Sequence, residues 1–130
     1  MKPFTRIAFL IACLPMGTAI AGDFDGSKPL ICAPIEARAC VSGQACVTRL
    51  PADLGMPAFL RIDVANKTIT GPKRTTLIRA MEQGEDALLL MGSELGLAWS
   101  IAVNSADGTM SGTLTDGDIV AVLFGSCTPL

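Results

Sequence analysis

The chain of 130 residues contains no histidine and no tyrosine. A catalytic base would therefore have to be a carboxylate or a lysine, which removes the usual nucleophile-and-histidine arrangements of acyl transfer. The lack of histidine also argues against a zinc site, since the cysteines do not show the short paired spacing of zinc ribbons. These absences favour a protein that binds rather than catalyses, with no metal and no cofactor.

Aromatic and basic residues are also scarce. One tryptophan and five phenylalanines, two of them within the first 21 residues, are too few for a surface that stacks sugars or nucleobases. Without residues 1–21 the chain carries eight basic and twelve acidic side chains, a net charge of −4. That charge argues against nucleic acid and anionic membrane surfaces as partners, and it permits a basic protein.

Long apolar runs are absent after residue 21, but the first 21 residues have the features of a secretory signal. Lys2 and Arg6 precede an apolar stretch, which ends in the small-x-small pattern of residues 18–21. Cleavage after Ala21 leaves one soluble domain of residues 22–130 with no membrane span. Cys13 imitates a lipidation site, but the apolar stretch before it is short, so we expect no lipid.

Four cysteines remain in the mature chain, an even number that predicts two disulfides in an exported protein. Cys40 and Cys46 bracket a loop that contains Gly43. Cys32 lies in the first apolar run, and Cys127 directly follows the last one. In a closing meander the first and last strands become neighbours, so the predicted bridges are Cys40–Cys46 and Cys32–Cys127.

The sequence from residue 58 onward is typical of β-strands joined by short turns. Residues 60–64 and 99–103 alternate apolar and other side chains, as in a strand with one buried face. Asp107-Gly108 and Asp116-Gly117 are hairpin signals between apolar runs. We therefore predict an all-β antiparallel meander of about eight strands that forms a small closed or partly closed barrel. A two-sheet sandwich is the alternative, and residues 22–29 are expected to be a loose lead.

Four segments of the mature chain carry a family resemblance: DFDGSKPLICAPIEARAC (23–40), FLRIDVANKTITG (59–71), GLAWSIAV (96–103) and FGSCTPL (124–130). Together they resemble a family of small exported proteobacterial proteins of unknown function. The shared features are strand starts, turns and cysteines, and they extend over nearly all of the mature chain. The resemblance implies a Gram-negative source and a periplasmic or secreted location, and it brings no catalytic residue.

Two sets of residues could carry chemistry, and both are better explained by turns. Residues 92–96 place Ser93 directly after Gly92, which does not match the Gly-x-Ser-x-Gly elbow of serine hydrolases. Two acidic pairs, Asp116 with Asp118 and Glu85 with Asp86, fall at predicted turns, where acidic residues are common. We therefore expect no enzymatic activity from either set.

Trp99 lies in the middle of an alternating strand, where a lone tryptophan is usually a core residue. In a barrel with a hollow interior it would line a ligand cavity, together with Ile101 and Met110. The predicted function is non-catalytic binding of a small apolar ligand inside the barrel. The alternative is a periplasmic protein inhibitor of a hydrolase such as lysozyme, suggested by size, export, disulfides and acidity. A wide apolar interior would favour the first, and a filled core with a protruding acidic loop the second.

Overall fold

The protein is built almost entirely from antiparallel strands. The structure, a computed structural model, describes residues 23–130; the predicted signal peptide and its cleavage site lie outside them. Ten strands follow one another along the chain: β1 (Leu30–Val41), β2 (Val47–Arg49), β3 (Leu60–Asp63), β4 (Thr68–Thr70), β5 (Thr75–Leu77), β6 (Ala80–Gln83), β7 (Ala87–Glu94), β8 (Leu97–Asn104), β9 (Thr109–Thr115) and β10 (Ile119–Pro129). One 3-10 helix, Pro51–Leu54, separates β2 from β3. The predicted all-β fold is confirmed.

The sheet curls into a small barrel because one bent segment belongs to both of its ends. The strand order is β5-β4-β3-β1-β10-β9-β8-β7-β6, and β2 pairs only with β1. Two residues separate β5 from β6, and their N–H groups donate to opposite ends of the sheet. Ile78 donates to the carbonyl of Lys67 at 2.9 Å, and Arg79 donates to that of Met91 at 2.8 Å. If β5 and β6 are counted as one strand, the meander around the barrel has the predicted eight.

The first and last strands are neighbours, as predicted. β1 and β10 pair from Leu30 opposite Pro129 to Val41 opposite Ile119, with a bulge after Pro34. Cys32 stands directly opposite Cys127 in this ladder, and the two form a disulfide across a sequence separation of 95 residues. The ladder thus joins the two ends of the domain both by hydrogen bonds and by a covalent bond.

The second predicted disulfide, Cys40–Cys46, closes the loop between β1 and β2. Gly43 has a φ of 77°, which only glycine adopts at no steric cost, and Gln44 donates its N–H to the carbonyl of Val41 at 3.1 Å. Two disulfides in a chain of this size indicate that the protein folds in an oxidising compartment. Within residues 23–130, no helix has the length and hydrophobicity needed to cross a membrane.

One end of the barrel, here called the closed end, is filled with apolar side chains. Leu30, Ile62, Leu88 and Val103 are fully buried there. Phe24 packs over this end against the core. Its ring lies so close to Gly108 that a Cβ on that glycine would be only 2.6 Å from Cζ of the ring. The expectation of a loose lead is therefore wrong for Phe24: the apolar ring gains more from covering the core than its chain loses in freedom.

Candidate ligand-binding cavity

A cavity of about 630 Å³ opens at the opposite end of the barrel, here called the mouth. Three connections surround it: residues 52–57 after β2, residues 71–74 between β4 and β5, and residues 94–97 between β7 and β8. Its deeper wall is apolar and includes Leu60, Ile69, Leu97, Ile101 and Leu114. The volume lies within the range of about 300–1,000 Å³ that is usual for small-molecule sites.

Two inward-facing positions near the mouth are occupied by glycine. β7 buries Leu88 and Leu90 in the closed half, and the next residue of the same face is Gly92. On β9, Gly112 lies opposite Ile101 and contributes no side chain. Both glycines allow close packing: a Cβ on Gly92 would meet the ring of Trp99, and one on Gly112 would lie 2.9 Å from the carbonyl oxygen of Ser100.

Trp99 occupies the space that Gly92 leaves. A Cβ on Gly92 would overlap the indole, lying 2.6 Å from Cε2, so the ring rests directly against the backbone of β7. Trp99 is 8% exposed and forms part of the cavity wall. Any side chain at position 92 would have to displace the ring, which makes this glycine a requirement of the site.

The indole N–H of Trp99 has no hydrogen-bond acceptor. Its Nε1 is the single buried side-chain nitrogen or oxygen without a partner in the part of the chain that the structure describes. Leaving a buried donor unpaired costs about 1–3 kcal/mol, so native proteins rarely do so without a reason. Because Nε1 is itself buried, this donor faces the packed surroundings of the ring and not the open part of the cavity.

Charged side chains of both signs stand at the mouth. Arg74 Nη1 lies 3.8 Å from Glu94 Oε1, which is an ion pair but too long for a hydrogen bond. Lys73 also lines the opening. Because the pair is largely exposed, it contributes little to stability. The mouth is thus polar at its rim and apolar below it.

Leu95 adds an apolar side chain to this rim in an unfavourable conformation. It and Gly96 form the two-residue connection between β7 and β8, with φ values of 51° and 82°. Such hairpins prefer Asn-Gly, because a branched side chain at positive φ costs about 1–2 kcal/mol. The Leu95 side chain is 86% exposed, so packing does not repay this cost in the free protein. Strain of this kind is concentrated at functional sites.

The three residues singled out from the sequence are divided between the two halves of the barrel. Trp99 and Ile101 line the cavity. Met110 lies away from it, buried in the closed half, with its Cε 2.9 Å from the position of a Cβ on Gly125. The segment over the mouth, which includes the 3-10 helix, was not among the predicted site residues. Its signal was the pair Pro51 and Pro57, which marks a turn but does not show what the turn covers.

The acidic turns are structural. Asp116 Oδ1 accepts the N–H groups of Asp118 and Ile119, both at 3.0 Å, and Asp107 Oδ1 accepts that of Thr109 at 2.9 Å. These backbone hydrogen bonds lower the pKa of both aspartates. Both therefore stay ionised near neutral pH, which suits them as turn acceptors rather than as proton donors.

The acidic residues also do not form one surface. Successive turns of a meander lie at alternate ends of the barrel, so Glu85, Asp86 and Asp107 are at the closed end. Asp116 and Asp118 are at the end that carries the mouth. Residues 23–130 contain no cluster of three or more acidic, cysteine or histidine side chains in metal-binding proximity.

The cavity at the mouth is thus the feature of this fold best suited to a ligand. No protein-family model, curated protein or solved structure matches the chain.

Proposed function

We propose that this protein is an exported, non-catalytic binding protein that holds a small, mainly apolar molecule in the cavity at the mouth of its barrel. The observation that carries the proposal is the half-enclosed cavity of about 630 Å³ with an apolar wall. A folded chain gains free energy by filling such a space, and an apolar molecule gains by leaving water. Binding therefore needs no rearrangement of the filled closed end.

The periplasm, or the medium outside a Gram-negative cell, is the proposed location. The two disulfides require an oxidising compartment, and the N-terminal sequence has the features of a secretory signal. The resemblance to small exported proteobacterial proteins supports the same location. A binding protein in that compartment would meet molecules that arrive from outside the cell or from its envelope.

The alternative function, inhibition of a basic hydrolase such as lysozyme, receives less support from the structure. It requires one protruding acidic loop over a filled core. The acidic turns instead lie at both ends of the barrel, and their best-placed carboxylates accept hydrogen bonds from their own turns. The cavity has no role in that function.

Titration of the mature protein with N-phenyl-1-naphthylamine, a neutral apolar fluorophore, tests the proposal. We expect saturable binding of one molecule, with a blue shift and a rise in its emission. Leu114→Phe places extra volume at the half-buried cavity wall and should weaken binding about tenfold or more. Leu89→Phe adds the same volume on the exposed outer face of β7 and is the matched control.

Equal effects of Leu114→Phe and Leu89→Phe would show that the fluorophore does not bind in the cavity. Non-saturable binding to wild-type protein would contradict the proposed function itself. Circular dichroism of both variants establishes that each keeps the strand content of the wild type.

A further inference from the structure

The two disulfides differ in what surrounds them. Cys32–Cys127 lies in the core, where Cys32 is fully buried and Cys127 is 6% exposed. Cys46 is exposed and Cys40 is half-buried, and every residue of the segment 41–50 is exposed. Thiol–disulfide exchange begins when a thiolate attacks one of the two sulfurs, so access decides which disulfide can exchange. Of the two, Cys40–Cys46 is the one that a molecule in solution can approach.

The strand register places the Cys40–Cys46 bridge on the outer face of the sheet. Side chains alternate between the two faces along β1, so Cys40 points the same way as the exposed Arg38 and opposite to the fully buried Ala37. Its partner on β10 is Val120, which is 47% exposed. The bridge therefore lies outside the barrel. It borders a shallow outer groove, which is also lined by Glu36, Arg38, Val122 and Phe124.

The hairpin that carries Cys46 is attached to the barrel at few points. β2 pairs with β1 at three positions only, and all three of its residues are exposed. Opening of the Cys40–Cys46 bridge leaves the β1–β10 ladder and the Cys32–Cys127 bridge untouched. The two sulfurs can therefore separate, and a mixed disulfide can form, while the barrel stays folded.

We propose that Cys40–Cys46 is a thiol-exchange site whose partner is a dithiol, and that Cys46 is the sulfur attacked. One thiolate of the partner forms a bond to Cys46 Sγ, the bond between the two cysteine sulfurs breaks, and Cys40 leaves as a thiolate. The partner's second thiolate then attacks the partner's own sulfur in the mixed disulfide, and Cys46 leaves. The cysteine pair gains two electrons and the two protons of the dithiol, which is oxidised to a disulfide.

The preference for a dithiol follows from the closeness of the two cysteines. In the mixed disulfide with a single thiol, β1–β2 pairing keeps Cys40 near Cys46. Cys40 then attacks back at high effective concentration and expels the thiol. A dithiol competes with this reaction because its own second step is also intramolecular. A monothiol at the same concentration therefore leaves the bridge closed.

Arg38 should assist the first step. It lies two residues before Cys40 on the same face of β1, where its positive charge attracts an incoming thiolate and stabilises the Cys40 thiolate that leaves. Its Nε donates to Glu36 Oε1 at 3.2 Å, so part of this charge is already balanced. The expected contribution to the exchange rate is therefore small, about two- to threefold.

The test treats the folded mature protein with dithiothreitol or with glutathione at equal thiol concentration. Samples are quenched with acid, alkylated with N-ethylmaleimide and mapped by mass spectrometry. With dithiothreitol we expect Cys40 and Cys46 to become alkylated about a hundredfold or more faster than Cys32 and Cys127, because a buried bridge waits for the barrel to open. With glutathione we expect little reduction, and fragmentation of the trapped peptide should place glutathione on Cys46.

Arg38→Gln should slow opening by dithiothreitol about two- to threefold. Arg61→Gln is the matched control, since it removes an exposed arginine from the outer face of β3 and should leave the rate unchanged. Circular dichroism establishes that both variants keep the strand content of the wild type. Equal rates in the two variants would assign no role to Arg38.

Three outcomes would overturn the proposal. Equal reduction rates for the two disulfides would show that exchange needs unfolding of the barrel. Glutathione attached to Cys40 would show that Cys46 is not the sulfur attacked. Complete reduction by glutathione as fast as by dithiothreitol would remove the preference for a dithiol. None of these outcomes involves the cavity, so the fluorophore titration judges the proposed function separately.

Discussion

The two ends of the barrel are made from the same strands and differ in what covers them. At the closed end, the chain before β1 lays Phe24 over Gly108, and large aliphatic side chains fill the interior. At the mouth, residues 52–57 lie over a hollow whose wall contains Trp99, and the Trp99 ring rests against Gly92. Glycine makes room for an aromatic ring at both ends. Gly108 lets the ring of Phe24 cover the core, and Gly92 lets the ring of Trp99 form part of the cavity wall.

The two ends of this small domain should therefore govern different properties, the closed end its stability and the mouth its binding. The closed end has well-packed apolar side chains. The unpaired buried N–H found within residues 23–130, that of Trp99, lies in the wall of the cavity at the mouth. A non-glycine residue with positive φ occurs at each end, Leu95 at the mouth and Lys67 at the closed end. Changes at the closed end should therefore alter stability, and changes at the mouth should alter binding.

The largest effect is expected from the two disulfides. Cys32–Cys127 joins the first and last strands, and its loss as the double alanine variant should lower the free energy of unfolding by about 4–5 kcal/mol. Cys40–Cys46 closes a short loop, so the corresponding variant should lose only about 2 kcal/mol. Guanidinium unfolding of both variants measures the difference. Equal losses would mean that closure of the long loop does not stabilise the barrel.

The next largest effect is expected at the closed end. Phe24→Ala removes a half-buried ring from the core and should destabilise the protein by about 2–3 kcal/mol, with no change in binding of N-phenyl-1-naphthylamine. Phe59→Ala is the matched control, since that side chain is 60% exposed, and it should change stability by about 0.5 kcal/mol or less. A loss of probe affinity in Phe24→Ala would show that the two ends are not independent.

Gly92→Ala should affect both properties at the mouth. The new Cβ displaces the indole of Trp99 toward the hollow, so stability should fall by about 1–3 kcal/mol and fluorophore binding should be lost. Gly84→Ala is the control at the closed end, where a Cβ would meet only the carbonyl of Ala87 at 3.2 Å. Tryptophan emission and fluorophore titration together measure the outcome. Unchanged Trp99 emission in Gly92→Ala would show that the indole does not rest against Gly92.

A smaller effect, which increases stability, is expected at the rim of the mouth. Leu95→Asn suits the positive φ better, so it should stabilise the protein by about 0.5–1 kcal/mol and weaken fluorophore binding about threefold. Lys67→Asn relieves the same strain at the closed end, where Lys67 has a φ of 53°, and should stabilise without affecting binding. Thermal melts and titrations of both variants separate backbone strain from the apolar contribution of Leu95. If Leu95→Asn and Lys67→Asn weaken fluorophore binding equally, the Leu95 side chain has no role of its own in binding.

The smallest effect is the pH dependence of stability, which should be the same for the aspartate turns at both ends. Turn hydrogen bonds hold the pKa of Asp107 and Asp116 below the ordinary value of about 4, so their stabilising contribution is complete above that pH. It is lost as the pH falls through the lower folded-state pKa values. Asp116→Asn should therefore flatten the melting temperature between about pH 5 and 2. Ser93→Ala, a change at an exposed side chain that does not titrate, is the control and should leave the shape of that profile unchanged.

Local patterns in the sequence were sufficient for the C-terminal strands, the hairpins that join them and the short-range disulfide. Alternation along residues 99–103 and the turn signals at Asp107-Gly108 and Asp116-Gly117 predicted β8, β9 and β10. Cys40–Cys46 followed from the short loop that the two residues bracket, and Cys32–Cys127 from the expectation that the first and last strands of a closing meander meet. These features depend on neighbours along the chain or on one long-range pairing, so they can be inferred from residue order.

Which end of the barrel stays open was decided only by the tertiary structure. Trp99 and Met110 both lie on inward faces, but the structure puts Trp99 at the cavity and Met110 in the filled half. Residues 75–81 form one mainly apolar or β-branched run in the sequence, yet the chain bends there so that β5 pairs with β4 and β6 pairs with β7. The cavity itself joins residues 52–57, 71–74 and 94–97, which no local pattern connects. The size of a cavity depends on the total volume of the inward-facing side chains from strands that are distant in sequence. Those side chains face one another only in the folded barrel.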